Sequence, residues 1–166
     1  MTATNLLPSS ALPRGVIVVQ RLYSAPIEDL WSLWTTKAGF ESWWGPDGFR
    51  VDVQVLEACL GGTLSYDMIA KAPEAIAAMK AMGLPVAHRT HGRFVEFRLH
   101  ERLRLMHLVS LQSGSPSYEH IIEVDFRSAG DKVSMVVTIH PHPDAYQTRL
   151  AIEAFTSQMA RLDRRF

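Results

Sequence analysis

From residue 49 to residue 140, short runs of alternating apolar and polar side chains follow one another, and a long amphipathic stretch succeeds them. In the first run Val51, Val53 and Val55 alternate with Arg50, Asp52 and Gln54, the period of two by which a strand buries one face. The same period predicts strands at 62–70 (Leu64, Tyr66 and Met68 on one face), at 88–98, and at 103–112 through Leu103, Leu105, His107, Val109 and Leu111. It continues at 118–127 through His120, Ile122, Val124 and Phe126, and at 132–140 through Val133, Met135, Val137 and Ile139. Gly61-Gly62, Ser113-Gly114-Ser115-Pro116 and Ala129-Gly130-Asp131 supply turns between them. Consecutive strands with short connections form an antiparallel meander.

The stretch from about Pro143 to Arg164 carries Ile152, Phe155, Met159, Leu162 and Phe166 three or four residues apart. A helix with such a stripe must lie on an apolar surface, and the sheet is the only surface large enough. Ahead of the meander, residues 15–23 read as a further strand. Pro26 opens a helix with Glu28 and Asp29 in its first turn and Ile27, Leu30, Trp31 and Trp34 on one side. A second short helix over Lys37–Trp44 is stopped by Gly45-Pro46. Between two strands, Pro73–Met82 predicts an inserted helix with Ile76, Met79 and Met82 as its apolar side, part of an insertion at about 71–86. The order predicts an α+β domain over 15–166, preceded by a flexible tail at 1–14.

Composition narrows the function classes. The 166 residues hold 17 Lys plus Arg against 17 Asp plus Glu, with 47% hydrophobic residues; at this length folding buries about 70% of the unfolded surface, so a core with room for a pocket needs no staple. Zero net charge argues against nucleic acid or an anionic membrane as partner. Arg161, Arg164 and Arg165 read as a solvated helix end. No segment approaches the roughly 20 apolar residues of a membrane span, and residues 1–13 hold no secretory apolar run. Cys59 is the single cysteine, which excludes a disulfide framework and suits a reducing, cytoplasmic location.

A twisted sheet cannot touch a long helix along its whole length, so a cavity is expected between them. Strand parity lines it with Tyr66, Met68, His107, His120, Ile122 and Met135, and the helix adds Phe155 and Met159. These groups suit a small hydrophobic or aromatic ligand with one or two polar handles. Trp43 and Trp44 cannot both point to one side of a short helix; one anchors the core and the other is free for the cavity mouth, where the inserted helix is placed to act as a lid. The pairs His88 with His91 and His140 with His142 lack the Cys or Glu companions of a metal site, so no metal and no cofactor is expected. Cys59 has no neighbouring cation to activate it, and no nucleophile elbow occurs. No catalytic residue is assigned. Glu57 with Asp67 and Glu96 with Glu123 face each other as surface carboxylates.

Several of these residues carry a family resemblance. Ala25-Pro26 before Leu30-Trp31, then Trp43-Trp44-Gly45-Pro46, then Gly61-Gly62 opening a strand, then Gly92-x-Phe94-x-Glu96-Phe97 leading to Glu101-x-Leu103, resemble the family named after the activator of the heat shock protein 90 ATPase, over about residues 15–165. The resemblance implies the START-like helix-grip fold: a curved antiparallel sheet around a long C-terminal helix, enclosing a cavity. It transfers no shared catalytic set. The first expectation is therefore a binding module for a small hydrophobic or aromatic molecule. The alternatives are a cavity enzyme of polyketide cyclase or hydrolase type, using His107 or His120 as base and Tyr66 as proton donor, and a co-chaperone-like regulator of a protein partner. A homodimer through a strand edge or helix face is open to any of them.

Overall fold

A computed structural model describes residues 15–110 and 116–166. The expected tail at 1–14, Leu111 and Gln112 at the end of the 103–112 strand, and Ser113-Gly114-Ser115 of the following turn lie outside the described residues. The chain runs β1 (Ile17–Tyr23), α1 (Ile27–Thr35), α2 (Lys37–Glu41), β2 (Phe49–Leu56), β3 (Thr63–Ala70), α3 (Pro73–Ala81), β4 (Ala87–Arg98), β5 (Arg102–Val109), β6 (Tyr118–Ala129), β7 (Lys132–Ile139) and α4 (Ala145–Arg165). All seven strands join one antiparallel sheet in the order β1-β7-β6-β5-β4-β3-β2. This is the α+β helix-grip architecture. β1 and β2, consecutive strands, stand at opposite edges, and α1 with α2 carries the chain between them.

The inner face of the sheet collects the alternating apolar residues. Leu64, Phe94, Leu103, Leu105, Val124, Met135 and Val137 are fully buried there, joined by Leu30, Trp34 and Phe40 from the two short helices and by Met159 and Leu162 from α4. Each such side chain contributes about 1.5–3 kcal/mol by leaving water. α4 starts where Asp144 accepts from the backbone N–H groups of Tyr146 and Gln147, satisfying donors that the first turn leaves free. Its inner end is fixed to β1: Tyr23 donates its hydroxyl to Asp163 at 2.8 Å, and Arg21 pairs with the same carboxylate at 3.1 Å.

Two β-bulges correct the alternation read from sequence. In β2 the register shifts between Val53 and Val55, so Val55, expected on the buried face, is 41% exposed while Leu56 packs against the core. In β4 the shift lies between Phe94 and Glu96; it turns Phe97 inward against Trp31, at 5.2 Å between ring centroids, and leaves Glu96 outside. On the outer face Glu96, Glu123 and Asp125 all bind Arg102, at 3.1, 2.8 and 2.7 Å. The expected Glu96–Glu123 pair is thus held together by a guanidinium.

Two helix expectations also change. α2 ends at Glu41 rather than Trp44, because Gly45 turns the chain at φ +94°, a conformation only glycine adopts without strain. α3 forms where expected, but none of its residues is buried, and its supposed apolar side ends in Met82 at 59% exposure. It rests on the turn around Gly48, whose carbonyl accepts from Lys71 and Ala72. Among the described residues no helix is long and apolar enough to cross a membrane.

Candidate functional site

The gap between the inner sheet face and α4 is a cavity of about 330 Å³. Tyr66 and Met68 enter it from β3, His107 from β5, His120 and Ile122 from β6 and Phe155 from α4, with Trp44 at the end of the α2 turn. Of the ten residues expected at the site, these seven meet around one space. Trp43, Met135 and Met159 do not: each is buried in the core and none lines the cavity. The two tryptophans divide as their adjacency requires, with Trp43 donating Nε1–H to the Leu33 carbonyl at 2.9 Å inside the core. α3 contributes nothing to the lining, so the expected lid is not in contact with the cavity.

Trp44 is packed among aromatic rings and hydrogen-bonded by its indole. It stacks on Phe40, 4.8 Å between centroids, and lies nearly parallel to the His107 ring at 5.9 Å. Its Nε1–H donates to the Tyr66 hydroxyl at 3.0 Å, and that hydroxyl meets His107 Nε2 at 3.1 Å. The direction of the bond between phenol and imidazole is set by the tautomer of His107. The following residue explains the glycine of the Trp-Trp-Gly-Pro block. Beyond its positive φ, a Cβ at Gly45 would come within 3.0 Å of Met68 Sδ. Gly45 is also clipped to α4 from both sides of its peptide: its N–H donates to Gln158 Oε1 at 2.8 Å and its carbonyl accepts from Arg161 Nη2. Arg161 is therefore a clasp, not only part of a solvated helix end; Arg165 likewise reaches Ser42 Oγ at 3.0 Å.

A second polar group of the lining centres on His120, the cross-strand partner of His107. His120 Nε2 lies 2.6 Å from the His140 carbonyl, an oxygen that can only accept, so the neutral ring carries its proton on Nε2 and leaves Nδ1 bare. The His120 ring stacks on His142 at 3.9 Å, and His142 Nδ1 meets the Tyr118 hydroxyl at 2.6 Å. Burial drives these rings toward the neutral form. Desolvation first, then the nearness of His120 and His142, pushes His107 down to about 3. Desolvation, aided by His142, pushes His120 down to about 4. His142 and His88 are lowered chiefly by burial, and burial keeps the Tyr66 phenol protonated well above its usual range. Among the described residues no Asp, Glu, Lys or Arg lines the cavity. Nor do any three His, Cys, Asp or Glu side chains there stand close enough to hold a metal ion.

Sequence reasoning missed Gln158 and His142 in this lining. Gln158 carried a signal: with Phe155, Met159 and Leu162 it falls on the apolar stripe of α4, where a polar side chain needs a reason. His142 sits just past β7, where strand parity no longer applies. A second depression, about 460 Å³, opens at the far end of β6 between Ser24, Pro26, Ser128, Asp131 and Lys132. It holds no aromatic or imidazole group, so the cavity against α4 is the candidate site.

Sheet, gripped helix and the space between them together define a helix-grip protein of the START-like class. The family model described as Activator of Hsp90 ATPase homolog 1-like protein matches residues 24–166, and the chain belongs to that family. Solved structures agree on the fold. A protein from Chromobacterium violaceum aligns with a TM-score of 0.71 at 21% identity, over 89% of this chain and 93% of its own. The AHSA1 protein from Silicibacter pomeroyi aligns with 0.68 at 15%, over 89% and 94%. A protein from Mycobacterium smegmatis gives 0.66 at 13%, over 89% and 88%. A search of curated proteins finds no match.

Proposed function

We propose that the protein binds a small hydrophobic or aromatic molecule in the cavity between the sheet and α4, acting as a binding module and not as an enzyme. The observation that carries this reading is the cavity of about 330 Å³ walled by Trp44, Tyr66, Met68, Ile122 and Phe155 together with histidines held neutral. Its volume stands at the small end of the roughly 300–1,000 Å³ typical of ligand sites, which favours a compact ligand over a two-chain lipid. Against catalysis stands the titration of the polar groups. An effective general base titrates near the working pH, whereas His107 is pushed to about 3 and His120 to about 4.

Native mass spectrometry of the purified protein, with a thermal-shift screen of apolar and aromatic compounds, tests the proposal. A co-purifying mass or ligand-dependent stabilisation supports it; an empty protein that no compound stabilises refutes it. One observation favours chemistry instead, the hydrogen-bonded series Trp44, Tyr66, His107. A cyclase or hydrolase built on it would lose all turnover in His107→Ala, where a binding module changes only its affinity. A co-chaperone-like role, suggested by the family description, predicts chaperone binding without any cavity ligand. The same reading places the protein in a reducing cytoplasm, given its single, exposed Cys59. It treats residues 15–166 as one domain and leaves the β1 and β2 edges open to a second copy.

A further inference from the structure

Gln158 is 4% exposed and lines the cavity, yet only half of its amide is satisfied. The Gly45 N–H can only donate, so the atom it meets at 2.8 Å is the amide oxygen, and the orientation of the side chain is fixed. That leaves Nε2 as a buried donor with no partner among the described residues. A buried donor without an acceptor is costly, and Nε2 belongs to a side chain that also pins the turn carrying Trp44. Several other polar atoms of the lining are already engaged: Trp44 Nε1 with Tyr66, the Tyr66 hydroxyl with His107 Nε2, and His120 Nε2 with the His140 carbonyl. No formal charge lines the space.

We propose that Gln158 selects the ligand, its Nε2–H donating to an uncharged acceptor, a ketone, ester or amide carbonyl, on an otherwise apolar molecule. This rests on the binding reading above and adds what the bound molecule must carry. A hydrocarbon leaves the donor empty. A carboxylate also accepts, but enters a cavity without a cation and forfeits its hydration with no opposite charge to replace it. A site that carries a buried, unpartnered donor rejects an analogue lacking the acceptor more strongly than one lacking a methylene.

The test uses three probes of one shape, acetylnaphthalene, ethylnaphthalene and naphthoate, titrated at neutral pH into the full chain and followed by tryptophan fluorescence. The ketone should bind about tenfold more tightly than the hydrocarbon, and naphthoate more weakly than the ketone. In Gln158→Met, which keeps the volume of the side chain but has no donor, the ratio of ketone to hydrocarbon affinity should fall from about tenfold to about one, whatever the change in overall affinity. A readout independent of the variant's folding is the side-chain amide resonance of Gln158 in the wild-type protein, which should shift on adding ketone and not on adding hydrocarbon. Equal binding of ketone and hydrocarbon, or tightest binding of naphthoate, overturns the selection by Gln158 while leaving the cavity reading intact. Failure of all three probes to bind overturns the cavity reading and this one with it.

Discussion

Lowering the pH from neutral to about 5 should cost the fold about 4 kcal/mol through His107 and His120 alone. In the unfolded chain both rings titrate near 6.5, whereas burial holds them to about 3 and about 4 in the folded one. A group whose folded pKa lies below its unfolded value leaves the folded state with fewer protons. Its contribution is present above about 6.5 and is lost as the pH falls toward the folded value. At about pH 5 the unfolded rings sit some 1.5 units below their pKa, and about 1.4 kcal/mol per unit gives about 2 kcal/mol for each. His142 and His88, also lowered by burial, act in the same direction. Asp67, lowered by its hydrogen bonds to Arg89, starts to lose its contribution only below its ordinary value of 3.8 and is silent in this window. Against a typical domain stability of about 5–15 kcal/mol, the loss is large. Urea unfolding at neutral pH and at about pH 5, followed by circular dichroism, measures it directly. His107→Gln keeps an amide to meet Tyr66 but does not titrate, so its loss between the two pH values should be smaller by about 2 kcal/mol. If variant and wild type lose the same amount, or the wild type loses none, the burial argument for these histidines is wrong.

Gly45→Ala forces a side chain into φ +94° and against Met68 Sδ; it should destabilise by about 1–3 kcal/mol in denaturant titration. Tyr66→Phe leaves Trp44 Nε1–H and His107 Nε2 without their shared hydroxyl, and a loss of about 1–3 kcal/mol is expected from the same measurement. Phe94→Ala removes a fully buried ring from the centre of the inner face and should cost about 3–5 kcal/mol, whereas Met82→Ala, on the exposed end of α3, should stay within about 0.5 kcal/mol; calorimetric midpoints separate the two.

The seven strands and the gripping helix were legible because period-two and period-3.6 patterns survive in the sequence wherever one face is buried. Leu103, Leu105, Val124 and Val137 are examples. Where a single extra residue entered a strand, at Gln54 and at Val95, the pattern inverted beyond it, and no residue type announces a bulge. α3 misled for a different reason: Ile76, Met79 and Met82 have the spacing of a buried stripe, but the helix rests on the Gly48 turn, with Ile76 and Met79 half-buried and Met82 exposed. In the cavity, parity brought Tyr66, Met68, His107, His120 and Ile122 to one face, yet it could not tell lining from core, so Met135 on the same face is buried in the core. Gln158 stood out as a polar residue on an apolar stripe, but its role was not legible because it depends on the Gly45 N–H, more than a hundred residues away in the chain.

The pairing of β1 with β7 sets an order of events. Ile17 lies opposite Ile139, so β1, which precedes the other six strands in the chain, is among the last to find a neighbour as the chain is synthesised. Until then, Val18 and Leu22 on one side of β1 and Val19 and Tyr23 on the other have only the helices that follow to shelter them. Native pairings of such long sequence separation are closed late and slowly, and an apolar strand that waits is open to capture by another chain.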